Sequence, residues 1–322
     1  MPSISNSASA RTTSPAFAPA YRTAPSSTPR GLRAPAARHV HVPSDRALVS
    51  SISILRDMRF NLQRRTGRLH GAAMHGPPCR RTVTAVSPVR SRGVRTEPVL
   101  LVHGFASSFE RNWREPGWAD LLADAGREVI GLDLLGHGQA EKPHDPAAYS
   151  NLVADVEAAL PGEGTVDAIG FSLGAQLLLA AAGRQPDRFR RLVVGGVGTN
   201  VFRREDVEPM ARAVEAGAAA AEDPTVARAF AQFASGSDND RAALAACLRG
   251  RQTTLTTDQL AAVCCPVLVV LGDRDFAGPP DPLVEALPDA TLLTLRGADH
   301  FGTPRDFRFI EAALAFIDAV PA

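Results

Sequence analysis

Apolar runs in the C-terminal three-quarters of the chain are short, and most have no polar residue inside them. Pro98–Val102 (PVLLV), Glu128–Asp133 (EVIGLD), Thr165–Gly170 (TVDAIG), Arg191–Val197 (RLVVGGV), Pro266–Leu271 (PVLVVL) and Ala290–Leu295 (ATLLTL) are Leu-rich or β-branched and bounded by Gly, Pro, Asp or Asn. Such runs predict strands buried on both faces. Thr82–Val86 is a weaker candidate of the same kind. Between the runs, Tyr149–Leu160, Leu173–Gly183, Asp281–Leu287 and Arg305–Val320 carry helical spacing. Strands alternating with helices predict an α/β fold with a mostly parallel sheet covered on both faces, its functional loops along the edge where the strands end.

Residues 201–262 break the alternation. They contain no strand pattern, and Pro209, Pro224 and the polar stretch 235–240 punctuate what reads as several short helices. About 60 residues bury too little core for an independent domain, so this insertion is expected to be a small helical lid over the site.

Composition changes the picture mainly at the N-terminus. Net charge is +1 over the 322 residues, but residues 1–96 hold 16 Arg against Asp45 and Asp57, while 97–322 hold 18 Arg and Lys142 against 32 acids. The organisation expected is an Arg/Ser/Pro-rich tail over 1–77 and one domain over 78–322. The tail has the composition of an organelle transit peptide, and equally that of GC-rich upstream DNA translated from too early a start, with Met58 and Met74 as later starts. It lacks the apolar core of a secretory signal, so cytoplasm is the default location, organelle targeting being the alternative if the tail is genuine. No run reaches the length of a membrane span. The tail has few aromatics and no regular basic period, so no nucleic-acid partner is expected. Cys79, Cys247, Cys264 and Cys265 form no zinc-type pairing. The adjacent pair reads as small apolar residues leading into a buried strand, poorly placed for a structural disulfide. No metal or cofactor is expected, and oligomeric state is not legible.

The chemistry concentrates at strand ends. Gly170-Phe171-Ser172-Leu173-Gly174 follows one buried run and opens an Ala/Leu helix. A serine on so sharp a strand-to-helix turn projects its hydroxyl from the sheet edge, and flanking glycines let strand and helix approach without a Cβ. A hydroxyl needs a base, and the base an orienting carboxylate. Asp275 in GDRDF and His300 in GADHF follow the next two strands in the order Ser, acid, His. Asp273 is the rival acid, but it sits nearer the strand end and reads as a turn residue. Asp299 adjoins His300, and its side chain should diverge from the ring. After PVLLV comes His103-Gly104-Phe105, where the backbone matters most: the Phe105 and Leu173 N–H groups are candidates for an oxyanion hole. His103 itself is expected to brace the loop.

HGF at 103–105, DLLGHG at 133–138, GFSLG at 170–174, GDRD at 272–275 and GADH at 297–300 together resemble the α/β-hydrolase superfamily across about residues 96–320. The resemblance implies an eight-stranded sheet with a variable lid after the sixth strand, and Ser172 as nucleophile, His300 as base and Asp275 as acid. Two features depart from the pattern: residues 78–97 give only a weak first hairpin, and Asp299 stands before the histidine where relatives commonly have Gly.

The expected function is that of a serine hydrolase cleaving a carboxylic ester, lactone or thioester of a small molecule through an acyl-enzyme. A serine at the elbow argues against the dehalogenases and epoxide hydrolases of the superfamily, which use Asp there. Acyl transfer, carbon–carbon hydrolysis and cofactor-free perhydrolysis use the same residues. The non-catalytic alternative, a binding protein on the same fold, usually lacks part of the triad. Apolar residues of the insertion, among them Val201, Phe202, Met210, Phe230 and Phe233, are expected to divide between lining an acyl pocket and packing the lid to the core.

Overall fold

The computed structural model describes residues 96–203, 206–217, 226–236, 240–251 and 254–321, and the backbone of 20–23. The strands are β1 (Ala20–Thr23), β2 (Val99–Val102), β3 (Val129–Leu132), β4 (Val166–Phe171), β5 (Phe189–Gly195), β6 (Val267–Gly272) and β7 (Ala290–Leu295). They form one sheet in the order β1-β3-β2-β4-β5-β6-β7, all parallel except β1, which runs antiparallel to β3 with Ala20 opposite Leu132. All six apolar runs after residue 97 became strands of this sheet.

Among the described residues the sheet has seven strands where eight were expected. From residue 99 onward every apolar run is already used, so two further strands would have to come from upstream sequence with little apolar alternation. Ala20–Thr23, within the segment expected to lie outside the fold, supplies one of them. The Thr82–Val86 candidate and the rest of the 1–77 tail lie outside the described residues.

Alternation along each strand builds two cores. Leu100, Val102, Ile130, Ala168, Leu192, Val194, Val267 and Val269 face one side, with α2 (Val153–Ala159) and α3 (Leu173–Arg184). Val99, Leu101, Val129, Ile169, Val193, Leu268 and Val270 face the other, under Trp113, Trp118 and α9 (Phe307–Phe316). Both faces are therefore dry, which is why these strands read as unbroken apolar runs rather than alternating ones. The remaining helices of the body are α1 (Trp118–Asp124) and α8 (Asp281–Ala286).

Between β5 and β6 the described residues hold only helix and loop: α4 (Glu208–Ala216), α5 (Val226–Ser235), α6 (Arg241–Gly250) and α7 (Thr257–Ala261). The caps explain where two of them begin. Asp240 accepts from the Ala242 and Ala243 amides, and Thr256 with Gln259 forms a reciprocal capping box. No helix among the described residues is long and apolar enough to cross a membrane. Of the adjacent cysteines, Cys265 is buried with a free thiol, whereas Cys264 is exposed and disulfide-bonded. This corrects the expectation for Cys264: the chain turns outward one residue before it enters the core.

The amino ends of the strands carry a buried ion cluster. Arg127 and Asp167 are almost fully buried, and Arg127 Nη2 donates to Asp167 Oδ2 at 2.5 Å. Arg190 also donates to that oxygen. The Arg127 guanidinium further donates to the carbonyls of Glu97 and Ile317. Charges so far from water are tolerated only because each has several partners.

Candidate active site

Ser172 sits between β4 and α3 with φ 51° and ψ −112°, a left-handed φ rare for a residue with a side chain. Its amide donates to the Gly195 carbonyl at 2.8 Å, which ties the strained turn to β5. The flanking glycines are required by contact. A Cβ on Gly174 would lie 2.2 Å from the Val102 carbonyl oxygen, and one on Gly170 would lie 2.8 Å from the Ala175 nitrogen. Strand, turn and helix therefore cross too closely for any larger residue.

The loops after β6 and β7 bring Asp275 and His300 to the same edge. His300 Nε2 is 3.0 Å from Ser172 Oγ. His300 Nδ1 is 2.9 and 3.0 Å from the two Asp275 carboxylate oxygens. With Nδ1–H donating to Asp275, Nε2 is left as acceptor for the serine hydroxyl. Both the imidazole and the carboxylate are buried, and Asp275 Oδ1 also accepts the Ala277 amide. The rival acids point elsewhere: Asp273 accepts from the Gly297 amide, and Asp299 from the Gly302 amide.

Phe105 and Leu173 flank Ser172, and both contribute to the wall of the larger cavity described below. Leu173 is the first residue of α3, so its amide is one that a helix leaves without an internal acceptor. Among the described residues neither amide meets a protein acceptor. The loop carrying Phe105 is held from both sides. Gly104 donates to Asn112 Oδ1 at 3.0 Å, and Asp133 accepts from the Phe109 and Gln139 amides. His103 is buried, with Nδ1 on the Gly104 carbonyl and Nε2 accepting from the Leu134 amide. Burial pulls its pKa down to about 4, so it is a neutral brace. His137, also buried and ring-to-ring with His103 at 5.2 Å, is pulled down to about 3, mainly by burial.

Two cavities meet at Ser172. The larger, about 450 Å³, runs along Leu173, Met210, Val226, Phe230 and Phe276. The smaller, about 40 Å³, is lined by Phe171, His300 and Phe301 together with Arg111, Asn112 and Phe233. Phe230 on α5 and Phe105 line both. Val201, by contrast, is buried in the core cluster, and Phe202 packs against it. The apolar residues of the insertion thus divide between wall and core. Among the described residues no group of three or more His, Cys, Asp or Glu side chains is gathered as a metal site.

Sequence reasoning missed the aromatic surround of His300. Phe276 stacks on it at 4.3 Å between centroids, Phe171 lies at 5.0 Å and Phe301 at 5.5 Å. The signal was adjacency: Phe171, Phe276 and Phe301 each neighbour a candidate catalytic residue in sequence. Arg111 gave no signal, since it belongs to no motif.

The family model for the alpha/beta hydrolase fold matches residues 97–232. The chain is 37% identical over 112 residues to the 2-hydroxymuconate semialdehyde hydrolase of Pseudomonas putida, covering 32% of this chain and 37% of that protein. The match thus spans little more than a third of that curated relative. Among solved structures, MGS-M2, an alpha/beta hydrolase enzyme from a Medee basin deep-sea metagenome library, superposes with a TM-score of 0.57 at 15% identity, over 71% of this chain and 92% of that one. The bromoperoxidase of Bacillus anthracis superposes with a TM-score of 0.52 at 21% identity, over 70% and 92%.

Proposed function

The chain is a member of the α/β-hydrolase superfamily, and on that premise we propose that it is a serine hydrolase that cleaves a carboxylic ester, lactone or thioester through an acyl-enzyme. One observation carries this reading: the unbroken hydrogen-bonded series from Ser172 Oγ through His300 to Asp275.

In the proposed reaction Ser172 Oγ attacks the carbonyl carbon while its proton passes to His300 Nε2. Negative charge grows on the carbonyl oxygen, where the Phe105 and Leu173 amides and the N-terminus of α3 stabilise it. His300 then protonates the leaving oxygen or sulfur, and the acyl group stays on Ser172. Water enters, gives its proton to His300 and attacks the acyl carbon; the bond from that carbon to Ser172 Oγ then breaks, His300 returns the proton to Oγ, and the carboxylic acid leaves. Asp275 holds the imidazole in one tautomer and stabilises its cationic form throughout. The strained backbone of Ser172 means that its hydroxyl is aimed before substrate arrives, so no reorganisation is needed at that atom.

The insertion 201–262 acts as the lid of a single domain, with Phe230 and Met210 facing substrate. The same residues serve acyl transfer, carbon–carbon hydrolysis and perhydrolysis. Which of these dominates depends on what enters the two cavities after the first step.

Fluorophosphonate labelling of the full chain and of Ser172→Ala tests the reading, with turnover of p-nitrophenyl esters of increasing acyl length measured on both. Labelling and turnover in the wild type alone are expected. A folded wild type that neither labels nor turns over would remove the serine-hydrolase reading and favour a binding protein on this fold.

A further inference from the structure

The proposed reaction leaves Arg111 unused. It lies in the π-helical turn Glu110–Arg114, behind the loop that carries Phe105. Its guanidinium sits over the ring of Phe233, 5.0 Å from the centroid, and forms part of the wall of the small cavity with Ser172 and His300. Stacking on an aromatic face holds the planar group in place without consuming its donors.

Among the described residues no other group takes up those donors. Among the described residues Arg111 Nη1 is buried without a hydrogen-bond partner, and no carboxylate pairs with the side chain. Its neighbours differ: Arg114 is bridged to Glu110 at 2.9 Å, and Arg305 to Glu115 at 2.8 Å. Glu110 and Glu115 are therefore already engaged, and among the described residues no Asp or Glu lines the cavity. A buried cationic donor left unmatched costs free energy, and its retention beside a reacting serine is explained by a ligand that completes it. The space, about 40 Å³, is of the size of a small polar group rather than a chain. A guanidinium fork fits a planar carboxylate with two parallel hydrogen bonds.

We propose that the small cavity is a carboxylate subsite in which Arg111 determines specificity, so that the substrate is an ester-type compound with a free carboxylate a few atoms from the scissile carbonyl. This rests on Ser172 being the nucleophile. The larger cavity then takes the remaining, more apolar part of the molecule.

Matched ester pairs test it. Monomethyl against dimethyl glutarate places the charge on the acyl side, and acetoxyacetate against its methyl ester places it on the leaving side. In one of the two pairs the wild type is expected to favour the anion at least tenfold in kcat/KM. Arg111→Met should lower that preference at least tenfold, chiefly through KM, with Arg111→Lys between. A preference that Arg111→Met leaves intact, or no preference in either pair, overturns the subsite. A readout without turnover separates this from failure of the serine reading. Glutarate should bind Ser172→Ala in calorimetric titration, and at least tenfold more weakly when Arg111→Met is added. No labelling of wild-type Ser172 by fluorophosphonate would sink the hydrolase reading, while the titration alone would still decide the subsite: equal binding by both proteins, or none by either, rejects it.

Discussion

The ring of Phe276 lies against the imidazole of His300, with centroids 4.3 Å apart and planes inclined by 36°. Phe276 is nonetheless 43% exposed and also lines the larger cavity. An aromatic contact of this kind contributes about 0.5–1.5 kcal/mol, which corresponds to roughly threefold to tenfold in rate if it positions the base. Phe276→Ala is expected to lose about that much in kcat on a p-nitrophenyl ester, and Phe276→Leu to recover part of it. Unaltered kcat in the alanine variant would reduce Phe276 to a pocket wall.

The two aspartates after β6 give opposite expectations. Asp275 faces His300, whereas Asp273 accepts the Gly297 amide in the neighbouring loop. Asp275→Asn should reduce kcat by about 10⁴-fold, since it removes both the charge and the tautomer control. Asp273→Asn should cost about 1 kcal/mol of stability or less, with turnover within a few-fold of wild type. Kinetics and urea unfolding on the pair check this, and comparable rate losses in both would mean the acid is misassigned.

Gly174 is a test of the turn. Because an added Cβ would lie 2.2 Å from the Val102 carbonyl, Gly174→Ala must push α3 away from β2. A loss of at least about 2 kcal/mol is expected in unfolding free energy, with Ser172 displaced from His300 and activity lost together with stability. A variant as stable and active as wild type would show that the helix can retreat freely.

Acid should destabilise the fold through two histidines. His103 and His137 are held neutral by burial, with pKa values of about 4 and about 3 against an ordinary 6.5. Below pH 6.5 the unfolded chain binds protons that the folded one refuses. Stability is therefore full above that value and falls as pH drops toward 4, by up to about 1.4 kcal/mol per pH unit for each histidine. His103→Gln should be less stable at pH 7 but show a shallower fall between pH 6.5 and 4. Parallel stability curves for variant and wild type would exclude His103 as a source of the slope.

At the opposite edge of the sheet, Asp167 balances Arg127 and Arg190 in the interior. Asp167→Asn leaves those guanidinium groups without a counter-charge and is expected to cost about 3–5 kcal/mol. Fluorophosphonate labelling of whatever remains folded should proceed at the wild-type rate. Slow labelling of folded protein would mean that the cluster also shapes the site.

What was legible in the sequence followed from how each feature is enforced. β2 through β6 are buried on both faces, and that constraint prints itself as apolar runs such as Val267–Gly272, legible one strand at a time. That Ser172, Asp275 and His300 come together was legible because each is fixed by its place at a strand end; their roles remain those proposed above. The strand count was not, because β1 pairs by backbone hydrogen bonds with no run of its own to announce it. Nor was the closure of Phe230 over Phe276 and Phe301, at 5.7 and 5.2 Å, since it joins an insertion helix to loops that follow it by more than forty residues. Arg111 was hidden for the same reason: it reaches Phe233 and the wall of the small cavity from more than fifty residues before Ser172, inside no motif.

β4 has Asp167 near its first residue and delivers Ser172 just past its last. Five residues of extended chain put about 16 Å between them. Anchoring and the proposed chemistry are thus mounted at the two ends of one rigid rod. Engineering for durability can work at the Arg127 end and engineering for new substrates at the Phe230 end, with few trade-offs between the two.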